Sequence, residues 1–156
     1  MPLHFELVTP ERIVFKTDAD RVTLPTAEGE ITVLPNHVPL VARLVAGVAT
    51  LVVGGVEEDV AVSGGFIEIG EGNSVRVLAD TAERGTELDI SVIEAATERA
   101  TEVMKNVART DDNAYAAAAA AMERELARGR VARRVHVSRR IPTLDAANLP
   151  HDKNPL

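Results

Sequence analysis

Glu30 and His37 are the two side chains closest to forming a general acid–base pair, and Pro35 lies between them. A carboxylate and an imidazole act together only if the fold brings them within hydrogen-bond reach, about 2.6–3.2 Å. No nucleophile and no second titratable group stands beside His37 in the chain. Pro35 and Pro39 remove two backbone donors on either side of it, so the loop is rigid and suits a contact surface. The simplest role for such a histidine is a loop residue whose ring is satisfied by backbone. Paired carboxylates recur at Glu57-Glu58-Asp59 and Asp111-Asp112. Both runs fall at expected hairpin or loop positions, where a solvated charge run is the ordinary explanation.

Other chemistries are missing. There is no Cys, so no thiolate, disulfide or Cys-based zinc site, and His4, His37, His136 and His151 show no ligand spacing. The phosphate-cradling GxxxxGK[ST], the dinucleotide GxGxxG, GxSxG and HExxH are all absent, and the glycine pairs sit between strand-like segments instead. No catalytic residue and no metal site is expected. Binding or regulation is favoured over catalysis.

The elements that carry these residues change period partway along the chain. From Leu3 to Asp80 the pattern alternates with period two: Leu3-Phe5-Leu7, Ile13 to Phe15, Arg21 to Leu24 ending at Pro25, Val41 to Leu44, and Val48 to Val53. Gly54-Gly55 turns one hairpin and Gly70 to Asn73 another, while Ser63-Gly64-Gly65 permits a bulge or a close backbone approach. Short strands at regular spacing predict a β-sandwich or barrel.

A helical period follows. Thr86-Glu87-Leu88-Asp89 has the form of a capping box, and Ile93, Ala96, Ala100, Val103 with Met104, and Val107 make one amphipathic face. Thr110 to Asn113 supplies a turn and the next N-cap; Tyr115, Ala118, Met122, Leu126 and Gly129 then repeat the spacing to about Arg133. The fold class predicted is α+β: an N-terminal antiparallel β-sandwich over residues 1–86, a C-terminal antiparallel helical hairpin over 87–134 and an extended tail over 135–156.

Ala116 to Ala121 give the second helix high intrinsic propensity and a thin apolar face. Two readings stand side by side: alanine permits close helix packing, or the helix persists while its weak docking is easily lost, which suits switching between positions. Apolar burial is worth about 25 cal/mol per Å², and alanine buries little.

Composition narrows the function further. The chain of 156 residues has net charge −7, with 46% hydrophobic and 26% charged residues, the balance of a globular protein. Residues 1–87 hold six Lys/Arg against fourteen Asp/Glu, net −8, whereas residues 124–140 hold seven Arg and one Glu, net +6. An arginine-rich helix end could suggest a nucleic-acid module, but the acidic sandwich and an aromatic content of 3% argue against it. Helix-dipole complementation accounts for Arg128 and Arg130 but leaves Arg133, Arg134, Arg139 and Arg140 free for an acidic partner. No apolar run is long enough to span a bilayer, and Met1 to Glu6 lack a signal-peptide layout, so the protein is expected to stay where it is made.

Taken together, Pro10 with Val14-Phe15, Gly29-Glu30, Leu34-Pro35 with His37 and Pro39-Leu40, Ser63-Gly64-Gly65-Phe66, and Val77 to Glu83 resemble the epsilon subunit of bacterial-type F-type ATP synthases. The resemblance covers residues 3 to about 130. It implies a non-catalytic rotor-stalk subunit of a proton- or sodium-driven enzyme, on the cytoplasmic face of the bacterial inner membrane and associated with that membrane only through the complex. Its implied partners are the gamma subunit, the c-ring, and the beta and alpha subunits of the catalytic head, with no nucleic acid. By position, Glu30 and His37 belong to the region facing the c-ring and gamma. The hairpin of such subunits lies folded on the sandwich or extends into the head, where basic residues restrain ATP hydrolysis at an acidic loop of beta; Arg124 and Arg128 are the candidates here. Some members also bind ATP on the hairpin through [IL]-D-x-x-R-A. The corresponding residues are Leu88-Asp89-Ile90-Ser91-Val92-Ile93, with Val92 in place of the motif Arg, while Glu83, Asp89 and Arg99 stand at matching places. Losing one charge-assisted hydrogen bond costs about 1.5 to 3 kcal/mol, so no cofactor is expected. Thr32, where the family usually has Gly, is a second departure.

Overall fold

A computed structural model describes residues 1–107 and 111–140, of which 136–140 by backbone alone. Eight strands come first: β1 (Leu3–Val8), β2 (Ile13–Ala19), β3 (Arg21–Thr26), β4 (Gly29–Val33), β5 (Leu40–Leu44), β6 (Gly47–Val53), β7 (Val56–Ile69) and β8 (Ser74–Arg84). A short 3-10 turn, Gly85–Glu87, leads into α1 (Ile90–Asn106) and α2 (Asp112–Arg140). The predicted sandwich and two helices are therefore present in the predicted order.

The strands run β2-β1-β8-β7-β5-β3-β4, with β6 pairing β3 and β7. Every pair is antiparallel except β1 with β8, which is parallel in the register His4↔Ser74 to Val8↔Leu78. Tight hairpins force antiparallel neighbours, but β1 and β8 lie far apart in the chain and no short turn dictates their direction. The long strand β7 pairs β6 from Val56 to Val62 and β5 from Gly65 to Ile69, turning the corner between the two layers at Ser63–Gly65. Register with β8 is kept through this corner, Ser63↔Thr81 and Gly65↔Ala79, so the glycines serve close approach and make no bulge. Gly65 has φ +148°, and a Cβ there would stand 1.9 Å from the Leu78 carbonyl oxygen.

Pro25 does not end β3 as expected. Its carbonyl accepts from Val45 N–H at 3.2 Å, and Gly47 leaves room for the ring, since a Cβ on Gly47 would lie 2.9 Å from Pro25 Cβ. Thr32 sits on β4 opposite Thr23, with the two hydroxyl oxygens 3.1 Å apart, which gives this unusual threonine a cross-strand partner.

Twenty buried apolar residues from both layers, among them Phe5, Leu7, Val22, Leu51, Val60 and Ile67, form the sandwich core. A separate cluster of Val48, Ala61 and Val131, flanked by Leu88, joins α2 to the outer face of β6 and β7. The sandwich thus closes without the helices.

Helix α1 starts later than the expected box. Its N-cap is Asp89, which accepts from Ser91 N–H at 2.8 Å and Val92 N–H at 3.4 Å. Ile93 is its buried anchor; Ala96, Ala100, Met104 and Val107 are half-buried, while Val103 points outward. Asp111 starts α2 as predicted, accepting from Ala114 N–H at 3.0 Å. The expected face of α2 is corrected in part, however: Ala118 and Gly129 are buried and Met122 half-buried, but Tyr115 and Leu126 are exposed. Burial follows two stripes, Ala118-Glu125-Ala132 and Ala127-Val131, because α2 has two neighbours, α1 and the sheet. A single-stripe reading fails for such a helix. Helix α2 continues to Arg140, so residues 135–140 of the expected tail are helical; residues 141–156 lie outside the described residues.

Candidate functional site

The groups able to act converge on the seam where α2 crosses the sheet. Arg128 is the centre. Its Nη1 donates to Glu125 Oε2 at 2.7 Å, one turn back on α2, and its Nη2 donates to Glu83 Oε1 on β8 at 3.1 Å. Nε comes within 2.6 Å of Glu83 Oε2 but without hydrogen-bond alignment. The Arg128 and Glu125 side chains are only 18% and 5% exposed. Burial opposes the Arg128 charge, yet the hydrogen bonds it donates to Glu125 and Glu83 outweigh it and raise its pKa. Arg124 Nη2 reaches the second Glu125 oxygen at 3.4 Å.

A second tie lies farther along the helix, where Arg134 Nη1 donates to Asp59 Oδ2 at 3.1 Å while Asp59 Oδ1 accepts from the Thr50 hydroxyl at 2.6 Å. Between the two ties Val131 is fully buried. Gly85 lets the helix come this close, as a Cβ there would stand 2.5 Å from Val135 Cγ2. The Glu57-Glu58-Asp59 run is therefore not simply solvated: Asp59 holds Arg134, and Glu58 receives Arg84 through two bonds at 2.9 and 3.2 Å.

The junction between sandwich and hairpin is clamped separately. Arg12, in the β1–β2 turn, grips Glu87 with both terminal guanidinium nitrogens, Nη1 and Nη2, at 2.9 and 2.8 Å, and Glu87 Oε2 also accepts from Arg84 N–H at 2.9 Å. Arg84 in turn lies 4.2 Å over the Phe15 ring. The hydrogen bond from Arg12, helped by the Arg84 amide and opposed by burial, holds the Glu87 carboxyl below its ordinary 4.5. A depressed folded-state pKa contributes stability that is complete above the unfolded value and lost as pH falls through the folded one. Acidification below about 4.5 is thus expected to lower the protection of the Arg84 amide, its exchange rate taken relative to the intrinsic rate at the same pH, and Arg12→Ala is expected to flatten that response. An Arg84 protection factor indifferent to pH in the parent protein would contradict the clamp.

An open cleft of about 470 Å³ lies beside the seam, with Arg12, Asp80, Glu83, Arg124 and Arg128 on its walls. Arg128 and Glu83 pair with each other across it, while Arg12 and Arg124 are engaged by Glu87 and Glu125. Among the described residues no group of His, Cys, Asp and Glu is disposed to hold a metal ion, and no helix is long and apolar enough to cross a membrane.

The residues singled out in the sequence fall in three places. Glu30 is exposed at the start of edge strand β4, and His37 lies beyond the end of that strand, where its N–H donates to Leu34 O at 3.1 Å and its Nδ1 stands 2.7 Å from Val38 O. They share no hydrogen bond, and His37 is satisfied by backbone. Arg124, Arg128 and Glu83 come together at the seam. Asp89 is consumed as the α1 cap, and Arg99 is exposed on α1, about 15 Å along the axis from it. Val92, at the motif Arg position, is exposed. Sequence reading missed Arg12, Asp59, Glu87 and Glu125 as seam residues. Glu125 alone carried a signal, as the single acid within the basic stretch from Arg124 to Arg140.

Residues 2–85 match the family described as ATP synthase, Delta/Epsilon chain, beta-sandwich domain. Named relatives include the ATP synthase epsilon chain of Carboxydothermus hydrogenoformans, 47% identical over 64% of this chain and 74% of the relative. That of Syntrophomonas wolfei is 41% identical over 79% of this chain and 88% of the relative. The epsilon chain of Nitratidesulfovibrio vulgaris is 40% identical over 83% and 94%. Among solved structures, a chain of the Euglena gracilis mitochondrial ATP synthase (OSCP/F1/c-ring) aligns with TM-score 0.70 at 20% identity, covering 87% of this chain and 81% of that one. A chain of the Tetrahymena thermophila mitochondrial ATP synthase central stalk and c-ring gives 0.55 at 16%, covering 86% and 96%. Those two likenesses concern the fold; sequence identity to the bacterial relatives carries the assignment, and the chain belongs to the ATP synthase epsilon chain family.

Proposed function

We propose that the chain is a non-catalytic central-stalk subunit of an ion-driven ATP synthase, whose sandwich couples gamma to the c-ring and whose hairpin restrains ATP hydrolysis once it leaves the sandwich. The observation that carries this reading is the division of the apolar interior: twenty residues close the sandwich, while three, with the Arg128 and Arg134 ion pairs, hold α2 on it. Docking of that kind is separable from folding. In the docked state Arg128 and Arg134 are engaged by Glu83 and Asp59. An acidic loop of the beta subunit would take over such arginines, with Arg124 beside them, when the hairpin extends.

The sandwich also offers a surface for gamma. Ile13, Val8, Leu78 and Phe66 line up across β2, β1, β8 and β7 on the outer face, with Phe66 61% exposed. An apolar row on an outer sheet face marks a protein contact. Glu30 and the loop of His37 form the c-ring side. The site of action is the cytoplasmic face of the bacterial inner membrane, reached only through the complex. No nucleotide is bound on the hairpin: Asp89 serves as a cap, Arg99 is remote from it and Val92 offers no guanidinium.

Titrating the isolated catalytic head with the full chain and with residues 1–87 tests the reading. Inhibition of ATP hydrolysis is expected from the full chain alone, with a midpoint that does not move as ATP is raised. Equal behaviour of the two chains would remove the inhibitory role, and a midpoint that rises with ATP would restore a nucleotide site.

A further inference from the structure

The loop that follows β4 is built as one tight turn. Leu34 O accepts from His37 N–H at 3.1 Å, Pro35 fills the first central position, and Asn36 takes the second with φ 66°. This is a type II turn, in which proline presets one angle and asparagine tolerates the left-handed one. A turn of that kind fixes its own shape but not its orientation on the domain. Orientation comes from the β7–β8 hairpin: Asn73, itself left-handed at φ 62°, presents Oδ1 to Asn36 N–H at 2.7 Å. The Asn73 carbonyl accepts from His4 N–H at 2.8 Å, so the same residue is anchored to β1. One side chain therefore ties the loop to the hairpin and its backbone to the first strand.

The tied loop displays Leu34 and Val38, the latter 71% exposed, beside His37, and residues 34–40 carry no acid and no other base. We propose that Asn73 is the positioning residue of this contact surface, setting the Leu34–His37 turn against the partner. The inference rests on the reading that the loop faces the c-ring, and it identifies what holds the loop there. Since Asn73 lies outside the loop, nothing in the loop's own sequence shows this dependence.

Glycine at 73 keeps the left-handed backbone and removes only the acceptor; aspartate keeps both. In the full chain, Asn73→Gly is expected to speed Asn36 amide exchange about tenfold and to weaken binding to a purified gamma–c-ring assembly by a similar factor, with the melting temperature unchanged. Asn73→Asp is expected to restore both. An Asn36 amide that exchanges no faster in Asn73→Gly overturns the proposal, because the bond is then not restraining the turn. Faster exchange with unchanged binding overturns it too, and Val38→Ala then separates the causes. If Val38→Ala weakens binding, the loop is a contact and Asn73 does not position it; if Val38→Ala is also silent, the c-ring reading of the loop has failed.

Discussion

Arg128→Ala releases α2 from the sheet while the sandwich stays folded. The variant leaves Glu125 buried without its closest cation and strands Glu83 opposite it. Breaking a buried pair from one side costs about 3–5 kcal/mol, mainly because a charge remains where water cannot reach it. Glu83 is about one-third exposed and recovers hydration, so the lower end, about 3 kcal/mol, is the expected effect. The remaining attachment, Val131 against Val48 and Ala61 with the more exposed Arg134–Asp59 pair, is too small to offset such a loss. Hydrogen exchange reads the outcome directly: amides of α1 and α2 lose protection and those of β1 to β8 keep it. Adding Glu125→Gln to the variant replaces the stranded carboxylate by a neutral amide and is expected to recover part of the protection. Unchanged exchange in α2 of Arg128→Ala would show that apolar contact, not the ion pair, holds the hairpin.

The second large effect lies at the corner of the sandwich. Gly65→Ala places a methyl group 1.9 Å from a backbone oxygen of β8, at a φ of +148° that L residues rarely adopt. Neither strand can step aside, because β7 is paired on both sides here, with β5 through Leu44↔Gly65 and with β8 through Gly65↔Ala79. Strained φ costs about 1–3 kcal/mol by itself, and the clash adds to it, so destabilisation above about 3 kcal/mol is expected from denaturant unfolding. Gly55→Ala is the control. Its φ of +80° is also unfavourable, but nothing lies within 4 Å of the added carbon, and the expected cost stays near 1 kcal/mol. Equal costs at the two positions would mean that backbone strain alone sets the effect.

These two residues also mark how far the sequence could be read. Period-two alternation, turn glycines and the change to helical spacing identified the strands, both hairpins and the two helices, because those signals report local backbone geometry. The motif series from Pro10 to Glu83 sufficed for the family. Ser63-Gly64-Gly65 was legible as an unusual place in a strand, but whether it bulged or admitted a neighbour depended on Leu78, which only strand pairing brings there. The parallel pairing of β1 with β8 and the passage of β3 through Pro25 were likewise not local properties.

The helical hairpin divides in the same way. Alanine content and helical spacing determined that helices form, and Asp111 marked where α2 starts, but the cap of α1 is Asp89, three residues past the Thr86 that opens the box pattern. The buried face of α1 was legible, Val103 apart, whereas that of α2 was decided by docking, since a helix between two neighbours shows two partial stripes that cancel in a single-period reading. Charge pairing was decided there too. Arg128 with Glu83, Arg134 with Asp59 and Arg12 with Glu87 join residues 45 to 75 positions apart in the chain. Net charge could show that an acidic sandwich precedes a basic helix end, and so that the two attract. Coulomb attraction carries no address; strand register and the close approach at Gly85 select which carboxylate each arginine meets, and those exist only in the folded molecule.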